Sequence, residues 1–78
     1  MTVEELNIKL SDKIEYYQKL VDREKDLMPK TANYKDYVST LDLLKAFKVI
    51  LANEKLSTET LLKLIESELE TIERRLIL

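Results

Sequence analysis

The chain contains no glycine and only one proline, Pro29. The tight turns that join neighbouring β-strands need residues that accept positive φ angles, and glycine is the main one. Leu, Glu and Lys are the commonest residues instead, and all three favour helices. The sequence therefore predicts an all-α protein in which helices are connected by short loops.

Apolar residues recur at helical spacing in three segments of the chain. These segments predict helices over about 3–28, 34–53 and 58–77. The predicted connections are only a few residues long, and helices joined by short loops lie antiparallel to each other. We therefore expect a single domain, residues 1–78, folded as an up-down-up three-helix bundle.

The predicted helix boundaries depend on capping residues. Thr2, Asn33 and Ser57 each precede a helical segment and have side chains that can accept hydrogen bonds from its first N–H groups. Pro29 disfavours the helical conformation of the residue before it, so the first helix should end at Met28. The same boundaries define the two loops of the predicted bundle.

Apolar residues of all three predicted helices supply the expected core. The predicted core residues are Leu10, Ile14, Tyr17, Leu41, Leu44, Phe47, Leu62, Ile65, Leu69 and Ile72. In the third helix, Leu and Ile alternate at a 3-4 spacing that is typical of tetrameric parallel coiled coils. A seam between antiparallel helices of one chain has the same spacing, so both interpretations stay open.

Cysteine and histidine are both absent. Without them the chain has no disulfide and lacks the usual ligands of structural zinc, haem and iron–sulfur sites. Glu66, Glu70 and Glu73 share one side of the third helix, but di-metal carboxylate sites normally add histidine to such glutamates. We interpret the three as a solvated face. The sequence predicts no catalytic, cofactor-binding or metal-binding residue and no enzymatic activity.

Charge pairs at i, i+4 agree with helices that are exposed on one side. Three acid-then-base pairs have this spacing: Glu5–Lys9, Glu15–Lys19 and Glu59–Lys63. Each such pair adds about 0.2–0.5 kcal/mol to an exposed helix.

The charge balance argues against a nucleic-acid site. The chain has 13 basic and 15 acidic residues, for a net charge of −2. The segment 30–55 is mildly basic through Lys30, Lys35, Lys45, Lys48 and Lys55, but acidic residues are interleaved with these lysines. Nucleic-acid binders usually carry an unbroken basic patch. A nucleic-acid accessory role that uses these lysines is therefore a weaker alternative.

The sequence also predicts a cytoplasmic protein without a membrane segment. The longest apolar run, 49–52, is far shorter than the roughly 20 residues that span a bilayer. The first residues include Glu4 and Glu5 where a secretory signal would have basic residues.

Surplus apolar residues point to protein binding. Tyr16, Leu20 and Leu27 form a second apolar line on the first helix, and Leu76, Ile77 and Leu78 make the chain end apolar. So small a domain is marginally stable and usually needs a disulfide, a metal or oligomerisation. We therefore expect a homo-oligomer, most plausibly a dimer, that binds another protein through these six residues. The predicted function is a non-enzymatic interaction module such as a regulator, inhibitor or assembly factor, and a purely structural homo-oligomer is the alternative.

Overall fold

The computed structural model describes residues 2–53, 55–56 and 58–77. Residues 76 and 77 are described without their side chains. This part of the chain forms three helices, α1 (Val3–Glu24), α2 (Tyr34–Ala52) and α3 (Glu59–Ile77). Helix α1 packs against both of the others. The predicted all-α three-helix bundle is confirmed. None of the described helices is both long and apolar enough to cross a bilayer.

The helix starts follow the predicted capping residues in part. The Thr2 hydroxyl oxygen accepts a hydrogen bond from the Glu5 N–H at 3.1 Å, as expected. Asn33 occupies the N-cap position of α2, but its side chain makes no capping hydrogen bond. Its backbone is already helical, with φ −85° and ψ −8°, whereas a capping side chain normally requires an extended backbone.

Helix α3 begins at Glu59, one residue later than predicted. The Thr58 hydroxyl oxygen accepts a hydrogen bond from the Leu61 N–H at 3.3 Å, so Thr58 acts as the cap. Ser57, the predicted cap, lies outside the described residues.

Helix α1 ends at Glu24, four residues before the predicted end at Met28. The Leu27 N–H donates to the Glu24 carbonyl oxygen at 3.0 Å, a three-residue turn in place of the four-residue helical bond. Pro29 has no N–H for the Lys25 carbonyl, and Met28 is 90% exposed. The additional turn would therefore gain little burial and lose a hydrogen bond.

The first two helices are antiparallel. The Lys48 ammonium group of α2 donates to the Ser11 hydroxyl oxygen at 2.8 Å and to the Asn7 side-chain oxygen at 3.3 Å on α1. These residues lie near the end of α2 and in the first half of α1. The contact also explains why a lysine is partly covered at this position.

The buried residues confirm most of the predicted core. Among the residues whose side chains are described, ten apolar ones are buried: Leu6, Leu10, Tyr17, Leu41, Leu44, Phe47, Leu51, Ile65, Leu69 and Ile72. Ile14 and Leu62, which were also predicted, are partly buried and pack against this cluster. The Leu–Ile stripe of α3 thus faces the core of its own chain, which favours the intramolecular seam over the tetrameric coiled coil.

Two of the predicted surface ion pairs form. Glu15–Lys19 and Glu59–Lys63 both have N–O distances of 3.3 Å. The predicted Glu5–Lys9 pair is wrong, because the Lys9 ammonium group lies 3.9 Å from the Glu73 carboxylate of α3 instead. Lys9 is on the side of α1 that meets α3, so an acid on the neighbouring helix competes with Glu5.

The bundle is flattened. Its dimensions are 42 × 25 × 16 Å, and its radius of gyration is 13.5 Å, against about 11.5 Å for a compact chain of this length. Helix α1 packs more extensively against α2 than against α3, and α2 and α3 contact each other least. Helix α1 therefore holds the other two, which leave a shallow opening between them.

Candidate functional site

The up-down-up order brings the end of α1, the start of α2 and the end of α3 to the same end of the bundle. A cleft of about 510 Å³ opens there. We call it the tyrosine cleft, and it is lined by Tyr16, Tyr17, Leu20, Asn33, Asp36, Tyr37, Thr40 and Arg75. All three helices contribute, so the cleft exists only in the folded chain.

Three tyrosines make the aromatic part of the cleft. The rings of Tyr16 and Tyr17 are 5.5 Å apart and nearly perpendicular, and those of Tyr17 and Tyr37 are 6.2 Å apart. Edge-to-face pairs at such distances are favourable. Tyr17 is buried, whereas Tyr16 is 45% exposed. The buried ring therefore supports the exposed ring and restricts its orientation.

Charged and polar groups surround these rings. Asp36, in the first turn of α2, and Arg75, in the last turn of α3, are exposed and opposite in charge. The Asn33 amide and the Thr40 hydroxyl can each donate and accept hydrogen bonds. The cleft can therefore contact an apolar or aromatic side chain while forming directional bonds at its edge.

The described residues contain no group of three or more His, Cys, Asp or Glu that could hold a metal ion. Of the three glutamates on one side of α3, Glu73 faces Lys9 of α1. The groups in the cleft are suited to stacking and hydrogen bonding.

The predicted interface residues fall into three groups. Tyr16 and Leu20 line the cleft, and Leu20 also packs against the core. Leu27 is 45% exposed but lies beyond the end of α1, outside the cleft lining. The side chains of Leu76 and Ile77, and all of Leu78, lie outside the described residues.

Sequence reasoning missed the other side of the cleft. Tyr37 belongs to an apolar stripe of α2, and Arg75 reads as a cation at a helix C-terminus. The signal that could have found them is topological, because an up-down-up bundle places residues near 17, 37 and 75 at one end.

In the segment 30–55, the ammonium groups of Lys48 and Lys30 make contacts within the described part of the chain. Lys48 bridges α2 to α1, and the Lys30 ammonium group lies 5.3 Å from the centre of the Tyr34 ring. Both ammonium groups therefore contact side chains of the same chain.

Burial raises the pKa of the Tyr17 hydroxyl above its ordinary value of 10.0. The neighbouring Tyr16 and Tyr37 raise it further, and the Arg75 guanidinium partly opposes them. The neutral phenol is therefore the form that the folded cleft accommodates.

This raised pKa predicts a loss of stability at alkaline pH. The unfolded chain ionises Tyr17 near pH 10. The stability that comes from the neutral phenol is complete below that pH and is lost as the pH rises through the higher folded pKa. Tyr17→Phe should make alkaline unfolding, followed by circular dichroism, less steep above about pH 10, and should remove the last step of tyrosinate absorbance.

The matched variant is Tyr16→Phe, which removes the exposed neighbour. It should keep the late step of Tyr17 and move it to lower pH, because Tyr16 contributes to the raised pKa. An unchanged late step in Tyr17→Phe would contradict the assignment.

Comparison with known proteins gives no relative. No protein-family model matches the chain, and neither a curated protein nor a solved structure does.

Proposed function

We propose that the chain is a non-enzymatic protein-binding module, a regulator, inhibitor or assembly factor, that recognises another protein through the tyrosine cleft. The observation that carries the proposal is the exposed Tyr16 facing the same cleft as Arg75. Tyr and Arg are among the residue types most enriched at the energetic centres of protein interfaces. A cytoplasmic location belongs to the same proposal, and fractionation of cells would test it.

The packing of the cleft supports binding without rearrangement. Tyr16 rests edge-to-face on Tyr17, and Tyr17 is buried between α1 and α2. A tyrosine that is already ordered loses little conformational entropy on binding. The cleft thus offers a pre-positioned aromatic contact with a cation and an anion beside it.

The experiment is an affinity capture from native extract with three forms of the chain. The wild type and Ile8→Ala, which removes an exposed apolar side chain outside the cleft lining, should retain the same specific protein. The double variant Tyr16→Ala, Arg75→Ala should lose it, because each hot-spot truncation weakens binding about 30-fold or more.

Circular dichroism should show the same helical content in all three forms, since Tyr16 and Arg75 are exposed. Equal capture by the wild type and the double variant would remove the cleft from the proposal. If the wild type captures no specific protein, the proposal that the chain is a protein-binding module is wrong.

A further inference from the structure

The tyrosine cleft continues into a smaller cavity between α2 and α3, with a volume of about 200 Å³. Thr40 and Arg75 line both the cleft and this cavity, so the two meet at the level of these residues. Asp36 lines only the cleft, whereas Leu43 and Glu68 line only the smaller cavity. The cleft and the cavity therefore form one groove along α2 and α3, which we call the α2–α3 groove.

Three charged side chains follow one another along the α2–α3 groove. Because α2 and α3 are antiparallel, Asp36 and Glu68 lie in opposite directions from the level that Thr40 and Arg75 share. At a rise of about 1.5 Å per residue, Asp36 lies about 6 Å from Thr40 along α2. By the same rise, Glu68 lies about 10.5 Å from Arg75 along α3. The order of charges along the groove is thus anion, cation, anion.

These three charges form no ion pair within the part of the chain that the structure describes, where the ion pairs join other side chains. Asp36 and Arg75 are exposed, and Glu68 is half-buried. The Arg75 guanidinium partly opposes the rise in the pKa of Tyr17, so its positive charge lies near the buried ring of the cleft. The groove therefore presents three charges that a partner can pair.

We infer that the partner docks an α-helix along the α2–α3 groove, and that the docking face of this helix carries a base, an acid and a second base in that order. The inference rests on the proposed function, because the tyrosine cleft is one end of the groove. Tyr16, 45% exposed, offers an apolar contact at that end, and Leu43, 39% exposed, offers one beyond Arg75. Apolar anchors of this kind hold a helix in a groove, and complementary charges fix its register and exclude other partners.

The spacing of the charges fits a helix better than an extended segment. Separations of about 6 Å and 10.5 Å correspond to about four and seven helical residues, so the three charges fall at positions i, i+4 and i+11. These positions share one face of a helix. In an extended segment the same separations span about two and three residues. Since neighbouring residues of a strand point to opposite sides, one of the two bases would then point away from the groove.

Two synthetic peptides test the inference against the full chain. Each is an alanine-rich helix of about 20 residues with leucines on the docking face, because shorter isolated helices are marginally stable in water. The matched peptide has lysine, glutamate and lysine at i, i+4 and i+11, and the reversed peptide has glutamate, lysine and glutamate there. Balancing charges on the opposite face give both peptides the same net charge.

Fluorescence anisotropy of the labelled peptides measures their dissociation constants. The matched peptide should bind the wild type at least about tenfold more tightly than the reversed one, because three attractive contacts replace three repulsive ones. Arg75→Glu should reduce this preference to about twofold, since the central contact changes sign.

The matched control variant is Arg74→Glu, which makes the same change of charge at the neighbouring exposed position, outside the lining of the cleft and of the smaller cavity. It should keep the tenfold preference, and circular dichroism should show the same helical content in both variants. Equal affinity of the wild type for the two peptides overturns the inference, as does binding of neither. So does an unchanged preference in Arg75→Glu or an equal loss in Arg74→Glu.

Light scattering coupled to size exclusion checks for a second copy of the chain in the groove. A wild-type dimer that Arg75→Glu dissociates, and Arg74→Glu does not, would assign the groove to self-association and overturn the inference.

The peptide experiment and the affinity capture can fail independently. A specific protein captured through Tyr16 and Arg75, together with equal affinity for the two peptides, leaves the proposed function standing and overturns the docked helix. A preference for the matched peptide without any captured protein supports the charge order of the groove and contradicts the proposed function.

Discussion

Leu10→Ala is expected to lower the free energy of unfolding by about 2–5 kcal/mol, because Leu10 is fully buried and the truncation leaves a cavity. A chain of 78 residues has a total of only about 4–12 kcal/mol. The loss is therefore a large share of the stability of the fold. Urea unfolding followed by circular dichroism measures it.

The control for this prediction lies two residues away on the same helix. Ile8 is 63% exposed, since two residues correspond to a rotation of about 160° from Leu10 around the helix. Ile8→Ala should change the free energy by no more than about 0.5 kcal/mol. Similar losses in the two variants would mean that α1 does not bury the side that contains Leu10. All variants are compared at one chain concentration.

Ile65→Ala is expected to cost about 2–5 kcal/mol, and Ile65→Val about 0.5–1.5 kcal/mol. Ile65 is fully buried, and with Leu69 and Ile72 it attaches α3 to the other helices. A smaller loss in Ile65→Val than in Ile65→Ala would show that the cost follows the volume of the side chain that is removed.

The same variant tests whether α3 unfolds together with the rest. All four tyrosines lie within the first 37 residues, so tyrosine fluorescence reports on α1 and α2 while circular dichroism reports on all three helices. The two signals should change at the same urea concentration in Ile65→Ala, as in a two-state transition. An early loss of helix signal with intact fluorescence would show that α3 detaches alone.

Much of the fold could be predicted from the sequence because helical periodicity is a local signal. The stripes that contain Leu10, Leu44 and Ile65 identify the buried faces without knowledge of any neighbour. The end of α1 was predicted too late, because Pro29 sets only the last position that a helix can reach. Where it stops depends on what Lys25 to Met28 can pack against, and that is a tertiary property.

The candidate site was predicted in part for the same reason. Tyr16 and Leu20 were found because an apolar residue off the main stripe is visible in one helix. Tyr37 and Arg75 were not predicted to be part of the site. Within its own helix, Tyr37 belongs to an apolar stripe and Arg75 is a cation near the C-terminus. Their proximity to Tyr16 arises when three helix ends meet.

By itself the sequence determined the helical class, the number of helices and most of the residues that make the core, because each follows from turn chemistry and periodicity along the chain. Only the tertiary structure decided which neighbours those helices have. It places Lys9 near Glu73 rather than Glu5, and it assembles the tyrosine cleft from three helices. It also gives α2 and α3 few contacts with each other and leaves Leu43 and Leu64 exposed. These outcomes depend on how the helices pack against each other in space, and no local pattern in the chain encodes that packing.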